Sequence, residues 1–583
     1  MKGLFIAVAF LASVSAFCQD DTHIKEIMCI MGASDAESLD EEVIDGFERL
    51  ATRPLRINLA SVSELRASGL FSEYQAASLI DYRQHSGEIL SISELALVDG
   101  IGKEYAAALS PFISLERRLN PGAREDSSRN LSQSLFVRAT LKNGSWVQAG
   151  KYRLVGERLE LAFAAKNSDA FTYSFSAAIS GRRTRLIVGD FNARFGQGLS
   201  LWNSFSLSGL SGISSFYKRS TGLSPAWSYS SSSLRGLGGE LRFGRIKISS
   251  FAAFSSLRNW MEGGSWSNAV MPALNVGYFG RHGQVGITGW VECSEGEWTE
   301  GRVSADCRFC IKGTEMFAEV SWDPYDECMA GLAGAVIPIG ESLKLALLAR
   351  GYPANFGTSM TGAMRSWTYC RDENSASVGV EFKGWTLTAD HAMKAEGSNH
   401  STKLLFYKTL KITPKWSVKP RFSQRFRNYG FTNRTDLRFD ICRESATWIS
   451  TLRLNALTCD KWGFLGYLEQ GWKTDKYALY ARGVLFRIDD WDDRIYVYER
   501  DAPGNYNVTA YYRRGYSLSF NASAKFWMRR SGVGSGSFNA GSNRSCLKVY
   551  FRAALTSYPW LSPGMTAKKE QSYELKLQAM YDF

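Results

Sequence analysis

From Tyr573 to Phe583 the chain alternates. Tyr573, Leu575, Leu577, Ala579, Tyr581 and Phe583 take one face of an extended segment, and Glu574, Lys576, Gln578 and Asp582 take the other. Side chains on a strand point to opposite faces in turn, so the spacing predicts a strand with one apolar and one polar surface. The same period recurs at Leu343-Leu345-Leu347-Ala349, Ala376-Val378-Val380-Phe382, Trp385-Leu387-Ala389, Tyr477-Leu479-Ala481 and Leu547-Val549-Phe551-Ala553. Glycine, serine and charged stretches such as 228–233 and 492–515 separate these segments. Past the first residues no run long enough for a helical span occurs, and the best stretch, Cys328 to Gly340, is short and carries Pro338. A membrane strand needs only about 9 to 11 alternating residues, so a barrel passes the test that a spanning helix fails.

Aromatic residues make up 13% of the chain, with 17 Trp, 26 Tyr and 34 Phe, which suits strands whose rings sit at a membrane interface. A chain of 583 residues exceeds what one core serves, so more than one domain is expected. It opens with Lys2, an apolar run from Leu4 to Ala12 and then Val14-Ser15-Ala16, the pattern of a secretory signal (residues 1–16) cut after Ala16. Phe17 is too bulky to precede a lipidated Cys18. With Tyr581 and Phe583 at its end, the last strand resembles the C-terminal signal of bacterial outer-membrane barrels. That resemblance implies recognition by the barrel insertion machinery, an outer-membrane location and lipid around the wall. Roughly 450 residues at about 20 per strand and turn give an antiparallel transmembrane β-barrel over 131–583 of about 22 strands, an even number if both ends face the periplasm.

The first 118 residues read differently. They hold 10 Lys/Arg against 18 Asp/Glu, a net −8, which leaves +20 for residues 119–583 out of the total of +12. Any basic partner surface therefore belongs to the barrel. A repeat of 30 residues is visible: Ser61-Val-Ser-Glu-Leu65 recurs as Ser91-Ile-Ser-Glu-Leu95, and Ala76-Ala77-Ser78-Leu79 as Ala106-Ala107-Ala108-Leu109. Ser61 with Glu64 and Ser91 with Glu94 form capping boxes, each marking a helix start. In the second unit, Val98-Asp99-Gly100-Ile101-Gly102-Lys103 has two glycines that let a phosphate approach backbone amides at the next helix.

From Ile57 to Leu115 the chain resembles the paired helix-hairpin-helix of the ComEA-like competence DNA-receptor family, through Ile57-Asn58-Leu59-Ala60, Tyr82-Arg83 with Gly87, and Gly100-Ile101-Gly102 followed by Ala106. The resemblance implies a small all-α tandem helix-hairpin-helix module over 51–118, with DNA phosphates held at the amides of Gly100, Ile101, Gly102 and Lys103. It also implies a monovalent cation at the carbonyls of Val98 and Ile101. In the first hairpin, Gly69-Leu70-Phe71-Ser72 replaces the two glycines by Leu70 and Ser72, so at most one hairpin presents amides. Residues 51–118 carry 7 basic and 8 acidic side chains, a poor match to a duplex whose binding relies on cations. Ahead of the module, residues 17–50 read as an acidic, solvated tether that ends in a short amphipathic helix at Val43, Ile44, Phe47 and Leu50, expected to pack on the module. Residues 119–130 read as a linker.

Gly189-Asp-Phe-Asn-Ala-Arg-Phe-Gly-Gln-Gly-Leu199 and Tyr498-Glu-Arg-Asp-Ala-Pro-Gly504 resemble segments of helix-hairpin-helix barrel proteins of the Bacteroidota. Glycines around Gln197 suit a bulge or bend, and Glu499, Arg500 and Asp501 read as a charge cluster in the lumen or at its rim, or as a solvated loop. No catalytic residue, metal cluster or cofactor is expected. Cys307 and Cys310 fall on opposite strand faces, as do Asp390 and His391, and 532–536 lacks the lysine of a phosphate loop. Three functions fit: a conduit whose periplasmic module docks a partner protein, a DNA-uptake component using the second hairpin, or a structural protein anchored by its barrel.

Overall fold

The structure is a computed structural model that describes residues 23–39, 41–52, 54–60, 64–65, 68–116, 132–156, 158–168, 170–181, 183–203, 209–226, 233–254, 269–280, 282–294, 296–340, 342–357, 360–394, 397–430, 433–474, 476–505, 507–529, 544–560 and 571–582. The signal segment, the linker, the Ser61 cap and Phe583 lie outside them.

Twenty-four strands among the described residues form one closed antiparallel barrel. The ring is sealed where the first strand, Ser132–Lys142, pairs with the last, Ser572–Asp582, in a register that sets Val137 opposite Ala579 and Leu141 opposite Leu575. The count exceeds the expected 22 because many hairpins are tight, with connections as short as Lys312-Gly313 and Lys383-Gly384. Both chain ends of the barrel and most of these short turns share one end, the turn end. The long connections 195–233, 353–372 and 489–512 lie at the other, the loop end.

The apolar faces of the strands point outward. In the last strand Tyr573, Leu575 and Leu577 are exposed on the outside, while Gln578 on the opposite face is fully buried. Exposed aromatics form two girdles, with Phe243, Phe382, Trp416, Trp448 and Trp527 near the turn end and Trp146, Phe171, Trp298, Trp322 and Trp462 near the loop end. Leu, Val and Ile fill the band between them, for example Val137, Leu186, Val188, Leu347 and Val378. This is the surface of an outer-membrane-type barrel.

Residues 23–116 build a helical module: α1 (Ile24–Met31), α2 (Glu41–Thr52), α3 (Glu73–His85), α4 (Ile92–Leu95) and α5 (Gly102–Leu109). A two-residue parallel bridge between Leu55-Arg56 and Ile113-Ser114 clasps the repeat at both ends. The equivalent leucines Leu65, Leu79, Leu95 and Leu109 are fully buried together. Phe112 joins α2 to this core through an edge contact with Phe47, ring centroids 5.1 Å apart. At α4 the Ser91 hydroxyl accepts the Glu94 amide as expected, but the Glu94 carboxylate takes the Leu90 amide instead of closing the box. A complete box, absent from the sequence reading, starts α3: Ser72 accepts the Gln75 amide and Gln75 accepts the Ser72 amide. With this self-contained core, a purified 20–118 fragment is expected to be helical by circular dichroism and monomeric by sedimentation, and a random-coil spectrum would contradict it.

The amphipathic helix expected at Val43, Ile44, Phe47 and Leu50 is α2, packed on the module with Ile44 and Phe47 buried. The run before it is not a solvated tether: α1 belongs to the same core through Ile27 and Ile30, and Leu39 is buried there too. Between the two helices, Asp35 and Glu37 have their partners in the barrel.

Candidate functional site

The sequence also places the module beneath the barrel, in the periplasm. The structure puts it inside the lumen as a plug. Polar strand faces point inward, and from them Lys247, Arg308, Lys344, Lys419, Arg421, Arg438 and Arg453 reach side chains or carbonyls of the module. The physical reason lies in the charge split: an acidic module is attracted to a basic lumen, where water is scarce and screening weak.

The deepest contact is a short turn, Ala36–Ser38. The Glu37 carboxylate pairs with Arg453 and with Arg438 at 3.1 Å, and it accepts the Tyr498 amide at 3.2 Å. Asp440 of the wall binds the same two arginines from the other side, at 2.8 and 2.6 Å, so two guanidiniums lie between two carboxylates. Beside this ring Asp35 pairs with Arg421 at 3.1 Å, and the Ser34 carbonyl accepts from Lys419 at 2.6 Å. Burial alone raises the Glu37 carboxyl, but Arg453 and Arg438 outweigh it and hold the group well below the ordinary carboxylate range. A group depressed on docking contributes stability that is present above its ordinary pKa and is lost only as pH falls through the lowered value. Plug seating, read as protease protection of residues 23–116, is therefore expected to be the same at pH 7 and pH 5; release over that interval would contradict the assignment.

A second contact lies at the start of α3. Glu73 pairs with Lys247 of the strand Ile246–Phe254, which also binds Glu240 at 2.9 Å, and the Glu73 amide donates to the Ser220 carbonyl at 3.0 Å. Arg308 donates to Ser72 at 3.3 Å. A third joins the plug to the inward connection 195–226: Arg219 bonds the Ile30 carbonyl and the Tyr105 hydroxyl and lies 4.2 Å from the centre of the Tyr105 ring. Burial pushes the Tyr105 phenol up to about 12, against the pull of Arg219. Gly32, left-handed at φ 72°, ends α1 against the same connection, where a Cβ would stand 2.8 Å from Ser214 Oγ. Two pairs near the turn end, Lys344 with Glu104 at 2.6 Å and Lys25 with Glu444 at 3.1 Å, are partly exposed and contribute little.

Gly100 (φ 79°) and Gly102 (φ 72°) form the hairpin, and a Cβ on Gly100 would meet the Tyr74 ring at 2.9 Å. The Val98 carbonyl accepts the Ile101 amide at 3.1 Å and the Gly100 carbonyl accepts from Gln75 at 2.6 Å, so two oxygens of this loop are engaged within the module. Gly102 and Lys103 are exposed, flanked by Asp99 near His282 and by Glu104. In the first hairpin Leu70 and Phe71 are fully buried, the Leu70 amide donates to the Ser68 hydroxyl and the Ser72 amide to Gln75.

Glu499, Arg500 and Asp501 are in the lumen, not in a solvated loop. Glu499 ends the first strand of a half-buried inner hairpin, Ile495–Glu499 with Asn507–Tyr511, and the other two follow it; all three pair with the wall: Glu499 with Arg552, Arg500 with Glu469 at 3.4 Å, and Asp501 with Lys576. The Gly196-Gln197-Gly198 bend wraps a carboxylate, since Glu319 accepts the amides of Gln197, Leu199 and Ser200 at 2.6, 3.1 and 3.1 Å. Cys307 and Cys310 do face opposite ways, and no His/Cys/Asp/Glu group fit for a metal exists among the described residues. Asp390 points into the lumen at Arg350, whereas His391 bonds Thr402 on the other face. Tyr581 sits in the seam opposite Leu135 and Leu547. Sequence reasoning missed Asp35, Glu37 and Glu73 and their lumen arginines and lysine; the signal it held was the opposite charge of the two parts.

Residues 51–114 match the family model of the helix-hairpin-helix motif, about a tenth of the chain. No curated protein matches the chain. Among solved structures, OccK5 (OpdH) of Pseudomonas aeruginosa is 8% identical, with 78% of this chain and 97% of that one covered, at a TM-score of 0.27. The ferric-catecholate import receptor Fiu of E. coli K12 is 9% identical over 77% of this chain and 81% of its own, at 0.35. The P pilus usher PapC translocation pore is 9% identical over 78% and 99%, at 0.34. Likenesses of this size support no statement about function, and the barrel stands on its own strand pairing.

Proposed function

We propose that this outer-membrane-type barrel, with a helix-hairpin-helix module in its lumen, is a gated conduit in which the module is the gate. The observation that carries this reading is the docking of Glu37 and Asp35 between Arg453, Arg438 and Arg421. A wall needs no such partner to close, since its ladder is complete without the module. A barrel of this strand number leaves an aqueous channel unless something fills it. The partner that the module docks is thus the barrel itself in the closed state, and opening requires the module to shift or leave. The test is conductance of the full chain in planar bilayers: silence in buffer, channel activity in mild urea that loosens the plug but spares the barrel, and silence again on its removal. Steady conductance in buffer alone would overturn the gate.

The exposed Gly102 and Lys103 favour DNA uptake as the second reading. Acidic neighbours on both sides weigh against it, and the isolated module is expected to bind duplex DNA weakly near physiological salt. Tight binding abolished by Gly102→Val and weakened by salt would promote DNA uptake to the first reading.

A further inference from the structure

Between the Glu37 contact and the loop end, three arginines share one patch of the lumen. Arg425 lies directly opposite Arg434 in the ladder between the strands Trp416–Arg427 and Asn433–Glu444. Arg427, two residues on, shares the face of Arg425, which is also the face of Arg421 that reaches the plug; Arg434 shares the face of Arg438. Arg421, Arg438 and Arg453 are balanced by Asp35, Glu37, Asp436 and Asp440. Among the described residues, none of Arg425, Arg427 and Arg434 has a carboxylate within ion-pair distance, and the enclosed Nε atoms of Arg425 and Arg427 have no hydrogen-bond partner. What does border the patch is aromatic. Arg427 lies 5.3 Å from the centre of the Tyr429 ring, and the Tyr429 hydroxyl accepts from the Trp367 indole at 2.6 Å.

Like charges directly across a ladder destabilise it, and a guanidinium left without an acceptor loses hydrogen bonds it had in water. Three forked donors, half-buried and reachable through the lumen, match an anion with several oxygens. We propose that Arg425, Arg427 and Arg434 bind a small multivalent oxyanion, a clustered carboxylate or a phosphate, on the loop-end side of the plug. Resting on the conduit reading, this names the class of solute that the conduit admits. The side chains face the lumen, so a solute and not a lipid headgroup is the ligand.

The test is calorimetric titration of the full chain in non-ionic detergent with citrate, and separately with inorganic phosphate, at fixed ionic strength. The parent is expected to bind citrate more tightly than phosphate. Arg425→Gln with Arg434→Gln should weaken citrate at least tenfold, and Arg514→Gln, which disturbs only the rim pair with Asp489, should not. If the double variant loses heat-modifiable barrel, Arg427→Lys serves, keeping the charge but not the fork, with an expected severalfold loss. Absence of citrate binding by the parent, or equal binding by the arginine variants, overturns the proposal. Binding is read with the plug seated, so a negative result leaves gating untouched, and a chain that never conducts leaves the citrate result standing.

Discussion

Glu37→Gln is expected to turn a silent barrel into a conducting one. The substitution keeps the size of the side chain but removes one of the two carboxylates that share Arg438 and Arg453, leaving Asp440 to balance both. Breaking a buried ion pair from one side costs about 3–5 kcal/mol, because the partner charge stays buried. Nearly all of that cost falls on the docked state, since an undocked Glu37 and the lumen arginines are both hydrated. The undocked population should then rise by roughly two to four orders of magnitude. Bursts of conductance should be frequent in the variant and rare in the parent, and Asp35→Asn should have a smaller effect of the same sign. Equal silence of parent and Glu37→Gln would show that this contact does not hold the gate.

Deletion of residues 23–116 should give the second large effect. The wall is hydrogen-bonded all the way round, so the shortened chain is expected to assemble as a heat-modifiable barrel. Removing the module also removes the acid that offsets the lumen, and a positive channel concentrates anions at its mouth. Large, steady, anion-selective conductance is the expected result, falling in selectivity as salt rises. A pore that stays closed would mean that the inward connections and the inner hairpin, Ile495–Glu499 with Asn507–Tyr511, seal the lumen by themselves.

Much of this architecture was legible in local pattern. Leu343 to Ala349, Ala376 to Phe382, Tyr477 to Ala481 and Leu547 to Ala553 all lie in strands, because period two needs only neighbours to be read. The leucines of the repeat are the module core for the same reason. What could not be read was where the two parts meet. Glu37 touches residues 401 and 416 positions away, and no period links such positions. An acidic turn awaiting an arginine looks the same in sequence as one facing water, which is why Asp35 and Glu37 pass for tether. Glu499 to Asp501 mislead similarly: a hairpin folded into a lumen has the polarity of a surface loop. The one hint was global, the −8 against +20.

The seam between Ser132–Lys142 and Ser572–Asp582 also sets an order of events. These strands come from the two ends of the barrel segment, and pairings of such sequence separation are slow to form. The helical part precedes the ring in the chain and holds its own core, so it is complete while the last strands are still being added. A finished ring would have to admit a folded body more than ninety residues long past the turn-end aromatics and charged rim, whereas an open one can be laid around it. The acidic module is in this sense a first occupant and not a late insert: its carboxylates are in place to meet the arginines of successive strands before the seam shuts, while the ladder of the wall closes by its own pairing.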